Sequence, residues 1–329
     1  MSAGASATEA LRAAPAASPS GPTWALVNPM SFRMRLAGQA PECIALLQRN
    51  GVSARQVAAL EQIESSLEQA VADGCRRLVI ASGDGTIQAA VSWLERHVGA
   101  DALPEIVLLA AGRTNYIAAE LGLRRLDALQ SLLADPEQGR VQRCRTLVCE
   151  HPSLPTQSGF FMAGALVDQL IRHAHREQAR GGSPLRQRMA SLIGIARPLL
   201  STRQRLTLPE VEVIAEGLGR LHGRCRFLLA TTLELADRWP RPYADRGRGA
   251  VRCTAIGADA QRWVLRLPRI LSGRHSEDMH PGCGYLSGAN DRIRIRGLPG
   301  ITLDGQEFDL DPGEILTLRG GPEWRFRLL

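Results

Sequence analysis

The sequence contains no lysine. All 40 basic residues among its 329 are arginine. That excludes a lysine-bearing phosphate loop of the Walker type, a Schiff-base lysine and a lysine general base. Any phosphate must be held by backbone N–H groups, hydroxyls or guanidinium groups. Aromatic residues are scarce at 4%, too few for broad base-stacking platforms, so nucleic acid is not an expected partner. The seven cysteines are odd in number and scattered, with no C-x-x-C pair. This argues against a disulfide framework or a cysteine zinc site and for a reducing compartment. No apolar run reaches membrane-spanning length, and the N-terminus lacks the charged and apolar parts of a signal peptide. The expected location is cytoplasmic, at most peripheral to the inner face of a membrane.

What is present belongs to a soluble globular chain, with 44% hydrophobic and 22% charged residues. The length suggests two domains, each large enough for its own core. The net charge of +7 favours anionic partners such as nucleotides or acidic lipid surfaces. Residues 1–22, rich in Ala, Ser, Pro and Gly, read as a disordered leader.

The organising stretch is Leu78 to Ile87, an apolar run that ends in Ser82-Gly83-Asp84-Gly85-Thr86 and passes straight into a helical pattern. Glycines let a backbone approach phosphate closely, and a helix N-terminus offers unpaired N–H groups. By itself the stretch fits a phosphate cradle and a tight turn with Asp84 as helix cap equally well. Two other apolar strands end the same way. Thr23–Val27 runs into Asn28-Pro29-Met30-Ser31, and Ile106–Ala110 runs into Gly112-Arg113-Thr114-Asn115-Tyr116, followed by a helix closed by Leu121-Gly122. Strands alternating with helices predict a parallel sheet, with ligands at the carboxyl ends of its strands.

The second half changes character. Strand-like segments at 141–150, 160–162, 211–215, 226–232, 251–256 and 293–318 predict a mostly β domain. It is broken by a basic helical insertion at about 165–205. The insertion could rest on a membrane surface, its arginines meeting lipid phosphates, or pack on the β domain with a solvated charged face. His173 and His175 stand two residues apart, which places them on different sides of a helix and argues against shared metal ligation. Arg292-Ile293-Arg294-Ile295-Arg296 alternates as an edge strand protected by charge would.

Taken together, these motifs resemble the diacylglycerol kinase and sphingosine kinase superfamily, of which the chain looks like a bacterial-type member. Asn28-Pro29-Met30-Ser31 matches the opening loop of that family without its glycine. Ser82-Gly83-Asp84-Gly85-Thr86 matches the central loop, and Gly112-Arg113-Thr114-Asn115 the third. Asp304-Gly305-Gln306-Glu307 matches its Asp-Gly-Glu, with Gln306 in place of the glutamate. Tyr116 replaces the second Asp of the third loop, and Arg248-Gly249 stands where an Asp-Gly of the bacterial members would be.

The resemblance implies an α/β + β fold. A Rossmann-like three-layer nucleotide domain with a parallel sheet (23–140) would precede a β-sandwich-like lipid-binding domain (141–329). It further implies an ATP-dependent kinase of a diacylglycerol, ceramide, sphingoid base or related lipid at a membrane surface. Asn28, Ser31, Ser82, Gly83, Asp84, Gly85, Thr86, Gly112, Thr114 and Asn115 would bind ATP, and Asp84 would hold Mg²⁺ directly or through water. Asp304, or failing it Glu307, would take the proton of the acceptor hydroxyl. A homodimer is compatible with the sequence. The alternatives are a NAD kinase-like enzyme sharing the Gly-Asp-Gly-Thr loop, and a nucleotide- or lipid-binding regulator of weakened activity on the same fold.

Overall fold

The computed structural model describes residues 21–112, 115–179, 207–234 and 240–329. The leader, Thr114 and most of the insertion after residue 179 lie outside these residues. The chain forms two compact units, residues 1–144 with 322–329, and residues 145–321.

The first unit is built on apolar runs. β1 (Thr23–Val27), β2 (Ser53–Gln56), β3 (Arg77–Ser82) and β4 (Glu105–Ala110) form a parallel sheet in the order β2-β1-β3-β4. Every residue of β3 and β4 is buried, as expected of parallel strands covered on both faces. The other edge of β4 takes the two residues of β5 (Gly122–Leu123) and, at Ile106, Phe326 from the end of the chain.

Alternation along the strands sends Ala25, Val27, Val79, Ala81, Val107 and Leu109 to one face. There they pack with Cys43, Leu46 and Leu47 and with Leu129 and Leu132. The helices concerned are α2 (Ala40–Arg49), which follows the short α1 (Phe32–Leu36), and α6 (Leu126–Ala134). Between them in sequence come α3 (Leu60–Ala72), α4 (Asp84–His97) and α5 (Tyr116–Leu121). The connection leaving β1 goes to one side of the sheet, whereas β3 and β4 extend to the other. The loops after β1 and β3 therefore meet at a topological switch point.

A buried charge cluster ties the last strand to this sheet. Glu105 is 1% exposed and lies between two buried guanidinium groups. Arg77 Nη2 is 2.8 Å from Oε1 and Arg327 Nη2 is 3.0 Å from Oε2. The arginines also donate to the carbonyls of Pro136 and Glu137.

The second unit is a sandwich of two antiparallel layers. β6 (Arg140–His151) leads into it and pairs with β7 (Leu154–Gly159). β8 (Phe161–Gly164) is followed by α7 (Ala165–Ala179), β9 (Glu210–Ala215) and β10 (Gly219–Thr231). β10 serves both layers: its first half pairs with β9, a register shift follows at Cys225/Phe227, and its second half pairs with β8 and β11 (Val251–Gly257). Such an irregularity bends a strand from one sheet to the next. After α8 (Trp263–Leu271) come β12 (Tyr285–Asn290), β13 (Arg292–Arg296), β14 (Gly300–Leu303), β15 (Gln306–Asp309) and β16 (Ile315–Leu328). Inward residues of both layers form one core, among them Val213, Ile293, Ile295 and Leu318 facing Leu228, Ala255, Leu286 and Ile301.

β13 corrects an expectation. It is paired on both sides, with β16 and β9, and is no edge strand. Ile293 and Ile295 enter the core while the three arginines face outward. The alternation reports a half-wet sheet face.

Candidate active site

In the first unit the predicted loops are joined by hydrogen bonds. Asn28 turns its own loop, its Oδ1 accepting from the Met30 N–H at 2.9 Å while Ser31 Oγ donates to its carbonyl at 2.8 Å. Its Nδ2 donates across to Thr86 Oγ1 at 3.1 Å. The central and third loops touch through glycine. A Cβ on Gly112 would stand 2.6 Å from the Gly83 Cα and 2.9 Å from Asn115 Oδ1. Asn115 takes the left-handed conformation (φ 50°) and donates from Nδ2 to the Gly112 carbonyl at 2.7 Å. Ser82 Oγ and Asn115 Oδ1 are buried with no hydrogen-bond partner among the described residues. Such orphans at a glycine-lined loop suit a polar ligand.

Asp84 caps a helix, but not its own. Oδ2 accepts the Tyr116 N–H at 2.8 Å and Oδ1 the Ile117 N–H at 3.2 Å, both at the start of α5. Burial raises its pKa, and the two N–H bonds pull it back in part. The carboxylate thus pins the third loop to the central one.

Beside these loops, at the carboxyl end of β4, lies a cleft of about 510 Å³ lined by Phe32, Arg33, Leu36, Ala110, Arg124 and Leu126. Its size is that of a small-molecule site. Arg33, which the sequence motifs do not single out, donates from its backbone N–H to the Ala111 carbonyl and from Nη1 to that of Arg124.

Asp84 is the carboxylate that the loops offer to a divalent metal. Among the described residues no three His, Cys, Asp or Glu side chains gather to hold one, and both oxygens of Asp84 already accept N–H groups. Mg²⁺ commonly takes one or two carboxylates with substrate phosphates and water. Here the phosphates would have to supply most of the ligands. Each Asp84 oxygen accepts a single N–H and keeps a further lone pair, so the loop clamp is compatible with the expected metal role.

In the second unit Asp304 and Gly305 form the two-residue turn between β14 and β15, with Leu303 opposite Gln306. Both turn residues have positive φ, 48° and 85°, as a type I′ hairpin requires and Asp-Gly supplies. The Asp304 carboxylate points inward, 6% exposed as a residue. Its oxygens accept the N–H groups of Phe160 and Phe161 at 2.8 and 2.9 Å. Gly159 leaves room for it, since a Cβ there would overlap Oδ2 and crowd Leu303. Gly159→Ala is expected to destabilise the protein by about 1–3 kcal/mol, read as a lower denaturant midpoint.

Glu307 faces the other way, toward α7. Its Oε1 lies 2.7 Å from His175 Nδ1, and the two side chains are 33% and 43% exposed. Behind them Arg172 binds Asp168 through Nε at 2.9 Å, Asp309 at 2.6 Å and the Phe308 carbonyl at 2.7 Å. Thr302 donates to Asp168 at 2.6 Å. Sequence reasoning passed over this cluster, although Asp168, Arg172 and His175 form one polar stripe at i, i+4 and i+7 on the helix. Gln306 is exposed.

Residues 22–146 match the model of the diacylglycerol kinase catalytic domain. No curated protein sequence matches the chain. Among solved structures, a putative diacylglycerol kinase from Bacillus anthracis str. Sterne is similar with a TM-score of 0.63 at 13% identity, over 93% of this chain and 95% of that one. A second putative diacylglycerol kinase of the same organism gives 0.62 at 13%, over 93% and 97%. A third structure, described as a diacylglycerol kinase of that strain, gives 0.59 at 11%, again over 93% and 97%. At such identities the structures establish the fold alone. Over residues 22–146 the chain is therefore similar to the diacylglycerol kinase catalytic domain.

Proposed function

We propose that this chain is an ATP-dependent lipid kinase that transfers the γ-phosphoryl group to a hydroxyl of a diacylglycerol, ceramide, sphingoid base or related lipid. The observation that carries the reading is the knitting of the three family loops into one group. Asn28 reaches Thr86, Gly83 lies on Gly112, and Asp84 holds the start of α5. Phosphoryl transfer requires mostly positioning and charge neutralisation. The N–H groups around Gly83–Thr86 would meet the phosphates. Ser82, Asn115 and Arg33 would add polar contacts, Thr114 by the family motif alone. Bound Mg²⁺ would supply charge neutralisation between phosphate oxygens.

On the acceptor side we assign the base to Glu307 acting with His175 in preference to Asp304, whose oxygens hold the backbone of Phe160 and Phe161. With Nδ1–H donated to Glu307, the His175 Nε2 lone pair is the one available for a hydroxyl proton.

The test is purified protein with γ-labelled ATP, Mg²⁺ and a panel of lipid alcohols in mixed micelles, with NAD as a further acceptor. Label in a lipid supports the reading; label in NAD alone, or in nothing while ATP still binds, overturns it. Asp84→Asn should weaken ATP binding about tenfold or more, because the new NH₂ group confronts a backbone N–H that needs an acceptor. Unchanged ATP affinity by calorimetry would show that the clamp is unimportant.

A further inference from the structure

Helix α8, Trp263–Leu271, is apolar on two faces. Its inner face carries Ile270, fully buried, and Trp263, packed with Ile256, Ala260, Met279 and Tyr285. Arg266 closes that side over the Tyr285 ring and pairs with Asp278. The outer face should be polar in a surface helix. Instead Val264, Leu265 and Leu271 are 47%, 79% and 38% exposed, and Pro268 is exposed between them. At 100° per residue Val264, Pro268 and Leu271 form one stripe, with Leu265 on its flank. Lone exposed apolar residues are ordinary; a contiguous row on so short a helix is not.

The charge around the row is one-sided. Arg262 and Arg269 follow Leu265 around the helix, and Arg274 lies just beyond its end, all exposed. Of the nearby acids, Asp278 is paired with Arg266, while Asp259 and Glu277 are exposed off the helix. A second copy docking here about a two-fold axis would set these arginines against their own equivalents, a like-charge contact. A surface with an apolar interior and an anionic rim fits both features. Apolar side chains can enter the boundary between headgroups and acyl chains while guanidinium groups stay at phosphate depth.

We propose that α8 is the membrane-docking element of the protein. It would lay Val264, Leu265, Pro268 and Leu271 into a bilayer containing anionic lipid, with Arg262, Arg269 and Arg274 on the headgroup phosphates. This deepens the lipid-kinase reading by naming the surface through which the lipid is approached. It is a different element from the insertion that the composition points to.

The experiment is co-sedimentation of the full chain with vesicles of phosphatidylcholine, alone or mixed with phosphatidylglycerol, without ATP. The wild type should bind the mixed vesicles more tightly. Leu265→Ser should weaken that binding about tenfold, the worth of withdrawing one leucine from the boundary. Arg262→Ser and Arg269→Ser should each cost about fivefold on mixed vesicles and little on neutral ones. Transfer to a short-chain, water-soluble acceptor lipid should be unchanged in all three variants, which separates docking from catalysis. Absence of that transfer in the wild type with vesicle binding intact would defeat the kinase reading and leave docking standing. Three results would overturn the proposal: no preference for anionic vesicles, Leu265→Ser binding like wild type, or Leu265→Ser abolishing self-association in sedimentation velocity while vesicle binding persists.

Discussion

Glu105→Gln is expected to cost about 3–5 kcal/mol of stability, the usual consequence of removing one partner from a buried ion cluster. The glutamate is 1% exposed and its two oxygens face Arg77 and Arg327, themselves 7% and 2% exposed. The amide keeps the shape and one acceptor but loses the charge. Two guanidinium groups would then stay buried without their carboxylate, each still donating to a carbonyl, of Pro136 and of Glu137. Denaturant unfolding should show a large fall in midpoint. Replacing all three members by apolar residues of similar volume should recover much of the loss, because the cost lies in the uncompensated charge rather than the missing pair. A single mutant within about 0.5 kcal/mol of wild type would mean that water reaches the cluster.

The second large effect concerns turnover. Glu307→Ala and His175→Ala should each lower kcat about 10²–10⁴-fold, the range of a general base, and the double mutant should be little worse than either. Groups that act as one unit give non-additive losses. The two side chains are linked at 2.7 Å and partly exposed, so neither substitution opens a core cavity. Added imidazole should restore part of the activity of His175→Ala, which a merely structural histidine would not allow. Independent, multiplying losses in the double mutant would break the pair assignment. Asp304→Asn belongs to a different class and should act first on stability, since the new NH₂ would confront the N–H of Phe160 or Phe161.

The strands were legible because burial writes itself into composition. Leu78–Ala81 and Ile106–Ala110 are continuous apolar runs, and each ends in a loop whose glycines are needed for close approach. The Asp304-Gly305 turn was legible for an equally local reason, the positive φ that this pair tolerates. The partners of the acids were not legible. Asp84 sits at the N-terminus of α4, where local rules make it a cap of that helix, yet it accepts N–H groups 32 and 33 residues on. His175 and Glu307 are 132 residues apart, and no short-range pattern links a helix to a hairpin at that distance. Helix α8 escaped because an interior proline and apolar residues on both faces blur the helical period. β13 was misplaced because alternation reveals which face is wet and says nothing of how many neighbours a strand has.

The return of Phe326 and Arg327 to the first unit has a consequence for biosynthesis. Domains usually fold in the order in which they leave the ribosome. Here the first unit lacks the neighbour of Ile106 and the second counter-charge of Glu105 until residues 322–329 have been made. The second unit can be complete while the first still holds an unsealed sheet edge and an unbalanced buried charge cluster. A nonsense codon near position 320 would thus damage the part of the protein synthesised first.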